Sequence, residues 1–289
     1  MSEINYLGKS YVNLGDFHTH TIYSMHGMSS PTEIVDAAIN NGLAYVAITD
    51  HHMPKDSGIG SLYNPSYTIM KNQVCRPGEY IRSFSPIFDK IKVIPGYEYN
   101  VFTKPDDEIM DTNHLKMVGV HSWYGNQEVL SRNAFLEGIM DSIQSGKYQI
   151  FVHPERELDF VNGYIGSKRL DRDKEYYPEF YKEVLDTIVS LCKEEQMILE
   201  VNASSFSGDT LKHKGNIERA KYWLGRAKEL NMDVIVSSDA HSKYLVGASS
   251  EAFWLLEEIE YPSDHIVNFD IDKVINLIAK TGLGTYIYL

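Results

Sequence analysis

Histidines are the residues of this sequence whose type and spacing are best suited to chemistry. There are 11 of them, and His18 and His20 stand two residues apart at the end of a predicted strand. On an extended chain, residues two apart point to the same face, so both imidazoles are placed to hold one metal ion. This pair taken alone is a weak signal, because solvated and core histidines also occur at strand ends.

Further histidines and carboxylates recur near the ends of the later predicted strands. Six of the seven predicted strands carry a His, Asp or Glu near the same edge. The carboxyl ends of parallel strands are where α/β folds build active sites, so we expect these side chains to lie together. Imidazoles with carboxylates suit Zn, Mn or Fe, and the absence of cysteine ligands argues against a closed structural zinc site. Besides His18 and His20, the residues are Asp50, His51, Glu98, His121, His153, Asp239 and His241.

The elements that must position these residues follow a repeating order of strand, turn and amphipathic helix. Short β-branched apolar runs that alternate with long helices are typical of parallel β/α units. We predict one domain over residues 1–289, a parallel-strand barrel or curved sheet with helices outside, and a long functional loop at 53–78. Predicted strands cover residues 11–17, 45–49, 92–95 leading into 97–102, 114–120, 149–152, 197–201 and 233–237, and predicted helices cover 31–41, 79–90, 128–145, 176–195 and 215–230.

The composition argues against several classes of protein. Lys and Arg number 27 against 40 Asp and Glu, a formal net charge of −13, so bulk nucleic acid is not an expected partner. An anionic substrate is still compatible with this charge where metal ions supply positive charge. The two cysteines favour a reducing cytoplasm, and we expect neither a signal peptide nor a membrane span.

The sequence resembles the PHP (polymerase and histidinol phosphatase) domain family over residues 13–247 at least. The segments HTHTIYSMH, AITDH, LEVNASSF and SDAH are similar to those of its YcdX-like phosphatase branch. His26, six residues after His20, stands where many relatives carry an Asp-Gly pair, which favours three imidazole-rich metal sites. The resemblance implies an α/β fold, a distorted seven-stranded (β/α)7 barrel. The nine ligand positions of the family are filled by His18, His20, His26, His51, Glu98, His121, His153, Asp239 and His241.

The resemblance also implies which residues share each of three divalent ions, Zn, Mn or Fe. One ion is held by His18, His20, Glu98 and Asp239, a second by Glu98 as a bridge with His121 and His153, and the third by His26, His51 and His241. Asp50 is expected to orient a ligand imidazole through a hydrogen bond, without binding metal itself. The histidines that match no ligand position are expected to be structural or at the surface, and they are His52, His114, His213 and His265. For His52 alone, the alternative is contact with a ligand residue or with the substrate.

The chemistry that follows from such an ion cluster is hydrolysis of a phosphate ester. A hydroxide shared between ions is a strong nucleophile at neutral pH, and adjacent ions neutralise the phosphoryl oxygens. Asp239, expected at a strand end beside the attacking oxygen, is either a proton shuttle as well as a ligand, or a ligand alone. Arg156 and Lys243 are candidates for gripping the phosphate, and the alternative for each is a solvated charge.

The predicted function is therefore a metal-dependent phosphomonoesterase that acts on a small phosphorylated metabolite. Histidinol-phosphate phosphatase is one outcome known in the family, and the residues do not decide it. A phosphodiesterase or exonuclease acting on short nucleotides is the alternative within the family. A non-catalytic PHP module is the alternative of another class, and the filled ligand positions argue against it.

Overall fold

Strands and helices alternate through most of the chain. The computed structural model describes residues 2–24, 26–52, 90–105, 107–121, 132–156, 158, 164–165, 168–169, 180–207 and 211–283. The strands are β1 (Ser2–Tyr6), β2 (Lys9–Asn13), β3 (Gly15–Asp16), β4 (Tyr45–His51), β5 (Lys92–Asn100), β6 (Leu115–Gly119), β7 (Ile150–Phe151), β8 (Tyr164–Ile165), β9 (Lys168–Arg169), β10 (Ile198–Asn202) and β11 (Val234–Ser237). The α-helices are α1 (Pro31–Asn40), α2 (Asp107–Met110), α3 (Arg132–Gln144), α4 (Phe180–Glu194), α5 (Leu211–Glu229), α6 (Ser250–Glu258) and α7 (Ile271–Lys280).

Seven of the strands form one parallel sheet in the order β11-β10-β7-β6-β5-β4-β3. Between its two edges, Thr19 and Ala240 make an isolated parallel bridge, and His20 N donates to Ala240 O at 2.8 Å. The sheet is thus nearly closed into a barrel. This confirms the predicted α/β barrel, and each of its seven strands overlaps a predicted one.

The first predicted strand needs a correction, because residues 11–17 form parts of two strands. Asn13 ends β2, which pairs antiparallel with β1, whereas Gly15 begins β3, which pairs parallel with β4. The chain turns at Leu14, whose carbonyl accepts from Tyr45 N at 3.0 Å, and the Asn13 side chain accepts from Gly15 N at 3.3 Å. Local hydrophobic patterning gives no signal for this break, since distant segments supply most of the bonds that stabilise it.

The helices begin and end close to where the sequence places them. A capping box starts α1, in which the Ser30 side chain accepts from Glu33 N and the Glu33 side chain accepts from Ser30 N. Gly42 follows the helix at φ 70°, a conformation that favours glycine. The helix α5 starts at Leu211, four residues before its predicted start, and the sequence patterns do not predict α2, α6 or α7. The predicted loop 53–78 and residues 79–89 of a predicted helix lie outside the described residues.

An apolar cluster occupies the early positions of the strands and the inner face of α7. This cluster fills the amino-terminal side of the barrel with apolar side chains. The polar side chains of the strands therefore lie near the carboxyl ends of the strands. The cluster includes Tyr45, Ala47, Ile94, Leu115, Met117, Ile150, Ile235, Val274, Leu277 and Ile278.

No helix within the described residues has both the length and the apolar composition needed to cross a membrane.

Asn268 joins the two edges of the sheet and yields a stability prediction. This side chain is fully buried, donates to the carbonyls of Gly15 and Val236, and accepts from Val236 N at 2.7 Å. Asn268→Ala leaves several buried groups without partners, so the free energy of unfolding should fall by about 3 kcal/mol. Urea denaturation measures this, with Asn276→Ala on the exposed side of α7 as the control. Equal midpoints for the two variants would contradict the role given to Asn268.

Candidate metal centre

The side chains singled out by the sequence meet at one edge of the sheet, where its strands end. Strand direction produces this, because residues at the carboxyl ends of neighbouring parallel strands lie side by side. In the β4–β5 pair, His51 stands in register with Glu98. His18 and His20 follow β3, His51 ends β4, Glu98 lies within β5, and His121, His153, Asp239 and His241 follow β6, β7 and β11.

The Glu98 carboxylate lies at the middle of this group and is buried. Its two oxygens face the imidazole nitrogens of five histidines, which come from four other strands of the barrel. Oε2 lies 2.8 Å from His51 Nδ1 and 3.3 Å from both His18 Nε2 and His20 Nε2, and Oε1 lies 2.8 Å from His153 Nε2 and 3.0 Å from His121 Nε2.

Asp239 supplies a second carboxylate to the same group. Its Oδ1 lies 3.1 Å from His20 Nε2 and 3.6 Å from His18 Nε2. Its Oδ2 accepts from Arg156 Nη1 at 2.7 Å. The two oxygens therefore have separate environments, one facing imidazoles and the other held by a guanidinium.

The loop that carries His26 folds back over the barrel mouth. His26 Nε2 lies 2.6 Å from His241 Nε2, and the ring centres of His26 and His51 are 5.1 Å apart. His26 itself is exposed, unlike the buried histidines deeper in the barrel. The structure thus brings His26 beside the two histidines with which the family resemblance groups it.

The outer hydrogen bonds of His18 and His20 test whether this pair fits a cation. His18 Nδ1 donates to the Glu200 carboxylate at 2.7 Å, so the neutral His18 ring has its lone pair on Nε2. His20 Nδ1 lies 2.8 Å from Ser24 Oγ, whose own proton goes to Asp50, so the neutral His20 ring also has its lone pair on Nε2. The two Nε2 atoms face each other at 2.9 Å, where two lone pairs would repel each other. A cation between the two nitrogens removes that repulsion, so the residues fit a metal ion.

Three overlapping sets of side chains in the described part of the chain have ligand atoms within 4.8 Å of one another. Two of the sets combine imidazoles with the Glu98 carboxylate, and the third consists of three imidazoles. Such donors suit Zn, Mn or Fe. The sets are His18, His20 and Glu98; His51, Glu98 and His121; and His20, His51 and His241.

The family of the chain follows from its sequence as a whole. The family model for the PHP domain matches residues 16–230. The chain belongs to the PHP domain family. Among curated relatives, a "Probable phosphatase" of Caldanaerobacter subterraneus is 25% identical over 90% of this chain and 88% of its own length. The "Probable phosphatase YcdX" of Escherichia coli is 23% identical over 93% of this chain and 95% of its own length.

Solved structures share the fold of this chain. The histidinol phosphate phosphatase of Lactococcus lactis, crystallised with zinc, L-histidinol and phosphate, is 20% identical with a TM-score of 0.53, covering 92% of this chain and 93% of its own. A structure from Listeria monocytogenes is 17% identical with a TM-score of 0.52, covering 80% of this chain and 97% of its own. These likenesses confirm the fold predicted for this PHP domain.

Glu200 is a residue of the centre that strand-end patterning misses. It lies inside β10 and is fully buried, and its carboxylate reaches His18 Nδ1 and the backbone N–H of His153. The signal that marks it is a charged residue within the apolar run of Ile198–Asn202, because buried carboxylates are rare unless they are paired.

Asp50 acts on a ligand candidate through one intermediate. Its carboxylate accepts from Ser24 Oγ at 2.6 Å and from Thr21 N at 2.7 Å. Ser24 Oγ in turn accepts from His20 Nδ1. The predicted orienting hydrogen bond therefore exists as a relay from His20 through Ser24 to Asp50, and not as a direct contact.

The charges of the centre hold its carboxyl groups in the ionised form. Burial alone raises the pKa of Glu98, but the imidazoles of His121, His18 and His51 outweigh burial and hold this pKa well below its usual range. Burial also opposes ionisation of Asp239, whose pKa is nevertheless held well below its usual range by His18 and Arg156. Both groups are therefore carboxylates near neutral pH, the form that coordinates metal.

Two residues of the centre adopt the left-handed backbone region. His153 has φ 33° and Asp239 has φ 55°, conformations that cost a non-glycine residue about 1–3 kcal/mol and cluster at functional sites. The His153 N–H donates to Glu200, and the Asp239 carboxylate is held by Arg156. The His153 ring is also closely packed against β6, since a Cβ atom added to Gly119 would lie 3.0 Å from His153 Cε1.

The two phosphate-gripping candidates have different surroundings in this PHP domain. Arg156 lies at the centre, with Nη1 on Asp239 and Nε donating to Ser205 Oγ at 2.7 Å. Lys243 Nζ lies 2.9 Å from Glu33 Oε1 at the start of α1. Contact of either side chain with phosphate stays a prediction, and Arg156 is the one beside the candidate ligands.

His26 gives the most specific prediction about the number of ions. His26→Ala should lower the bound metal from about three to about two ions per chain and reduce phosphatase activity, because losing a ligand costs more than the ~10–100-fold of losing a supporting contact. Elemental analysis of metal-reconstituted protein measures the stoichiometry. The control is His265→Ala, since His265 pairs with Asp233 away from the centre. Unchanged stoichiometry and activity in His26→Ala would make His26 an ordinary loop residue.

Proposed function

We propose that this PHP domain is a metal-dependent phosphatase that hydrolyses a small phosphomonoester. The observation that carries the proposal is the buried Glu98 carboxylate with imidazole nitrogens of five histidines around its two oxygens. A carboxylate with ligand candidates on both oxygens is the arrangement needed to bridge two ions. The curated relatives named as phosphatases support the same activity.

The proposed ligands form three partly shared sets for divalent ions, Zn, Mn or Fe. Short distances around Glu98 support the first two sets, and the closeness of His26, His241 and His51 supports the third. Zinc in the Lactococcus structure is a precedent within this fold. The sets are His18, His20, Glu98 and Asp239; Glu98, His121 and His153; and His26, His51 and His241.

Bound ions would activate a water molecule for attack on phosphorus and neutralise the phosphoryl oxygens. The side chains then have separate tasks. Glu98 and the imidazoles hold the ions, and Asp239 takes the proton of the attacking water. Asp239 is placed for this task because Arg156 holds its Oδ2, so that Oδ1 faces the centre.

The substrate class follows from charge. The chain has a net charge of −13, so attraction of a phosphate depends on the ions and on local cations such as Arg156. A long polyanion requires an extended basic surface, which this composition does not favour. The histidinol and phosphate in the Lactococcus structure are a precedent for a small phosphorylated substrate.

We also infer one domain over residues 1–289 and a cytoplasmic location. The low cysteine count supports the location.

Hydrolysis of a generic aryl phosphate tests the proposal. Metal-reconstituted protein should release phosphate from it, a chelator should abolish the activity, and added Mn or Zn should restore it. A colorimetric phosphate assay on samples of known metal content measures this. If fully metallated protein leaves monoesters intact but cleaves a diester or an oligonucleotide, the phosphodiesterase alternative replaces the proposal.

Asp239→Asn tests the proton-transfer task. The variant keeps the size of the side chain but cannot take the proton, so kcat should fall by at least ~10²-fold, as is typical for losing acid–base assistance. Steady-state kinetics at saturating metal measures the effect. Asp186→Asn is the control, because Asp186 pairs with Arg226 on the outer helices. Near-native turnover of Asp239→Asn with normal bound metal would remove Asp239 from catalysis.

A further inference from the structure

The strand β10 is the one barrel strand that contributes none of the nine proposed ligands. Its residue Glu200 nevertheless points its carboxylate at the proposed ligands, and the side chain has no exposed surface. A charge buried this deeply requires specific partners, because desolvation disfavours it. The partners of each oxygen therefore show what the residue does.

The first oxygen of Glu200 orients His18. Glu200 Oε1 accepts from His18 Nδ1 at 2.7 Å, a short, charge-assisted hydrogen bond. This bond fixes the proton on Nδ1 and turns the lone pair of Nε2 towards His20 Nε2 at 2.9 Å and Glu98 Oε2 at 3.3 Å. The tautomer and the ring orientation of His18 are thus both set by Glu200.

The second oxygen of Glu200 holds the backbone of His153. Glu200 Oε2 accepts from His153 N at 3.1 Å, and the Asn202 side chain donates to the same oxygen at 3.1 Å. His153 sits at φ 33°, so its backbone needs such support, and its Nε2 lies 2.8 Å from Glu98 Oε1. The bond therefore places the His153 ring against the other oxygen of the bridging carboxylate.

We propose that Glu200 is a positioning residue that aligns ligands of two different ions at once, His18 for one and His153 for the other. The inference rests on the proposed function, since it takes these histidines as ligands on the two sides of Glu98. The hydrogen bonds that Glu200 makes to them run to an imidazole and to a strained backbone N–H, and neither belongs to the backbone pairing of β10 with β7. Removing the carboxylate should therefore weaken two ions together, whereas loss of His26 should weaken one.

The variant Glu200→Gln separates this positioning from simple packing. Its amide keeps the size of the side chain but offers one acceptor oxygen, while His18 Nδ1–H and His153 N–H both need an acceptor. One of the two bonds must be lost in any orientation of the amide, whereas Glu200→Leu has a side chain of similar size and loses both bonds. Leu199→Ala is the matched control, because Leu199 is the preceding residue of β10, fully buried in the apolar core.

Competition with a zinc chelator measures the affinity of each ion in the three variants and in the wild type. We expect one ion of Glu200→Gln and two ions of Glu200→Leu to bind ~10–100-fold more weakly, the usual cost of losing a supporting contact, and the ions of Leu199→Ala to keep wild-type affinities despite a lower melting temperature. Wild-type affinities in Glu200→Gln, or weakening of one ion alone in Glu200→Leu, would overturn the inference. The proposed function would survive that result if the wild type still binds zinc and hydrolyses aryl phosphate.

Nitrogen NMR of the zinc-loaded wild type gives a second test that needs no variant. The inference requires the proton of His18 on Nδ1 and coordination through Nε2. Spectra of ¹⁵N-histidine-labelled protein, with His18→Gln used to assign the signal, distinguish the two ring nitrogens. A His18 ring that is coordinated through Nδ1, or that carries its proton on Nε2, would overturn the role of Glu200.

Discussion

The buried carboxylate of Glu98 is the constraint on which the rest of the structure depends. An ionised group with 1% of its side chain exposed is costly unless positive charge or hydrogen-bond donors surround it. The barrel supplies them by ending its strands in histidines, so that His51 stands in register beside Glu98 and His121 and His153 approach its other oxygen. The same crowding of imidazole nitrogens is unfavourable without a cation, so the fold itself favours binding of the proposed ions.

A second layer of side chains holds that arrangement in place. Asp16 accepts from the backbone N–H groups of Ser238 and Gly247, which anchors the loop carrying Asp239 to the first barrel strand. Ser24 and Glu200 fix the ring orientations of the His20 and His18 imidazoles, respectively. Backbone strain at the proposed ligands is tolerated because these buried hydrogen bonds outweigh it.

The sequence predicts the strands and the grouping of the strand-end residues well, because both depend on local patterns. Spacing of two residues puts His18 and His20 on one face, and parallel strands bring their ends to one edge. Residues whose role depends on distant partners are harder to predict: Arg156 binds Asp239 across 83 residues, and Glu200 reaches His18 across 182. The break at Leu14 escapes local patterning for the same reason, since its partners are Tyr45 and Asn268.

The central claim is that Glu98 bridges two ions, and anomalous diffraction at the zinc edge tests it most directly. Crystals of zinc-reconstituted protein should show two peaks flanking the carboxylate, each about 2.1 Å from one Glu98 oxygen, the usual zinc–carboxylate distance. One peak should lie among His18, His20 and Asp239, and the other between His121 and His153. Zinc bound elsewhere, with both Glu98 oxygens making contact only with imidazoles, would contradict the account.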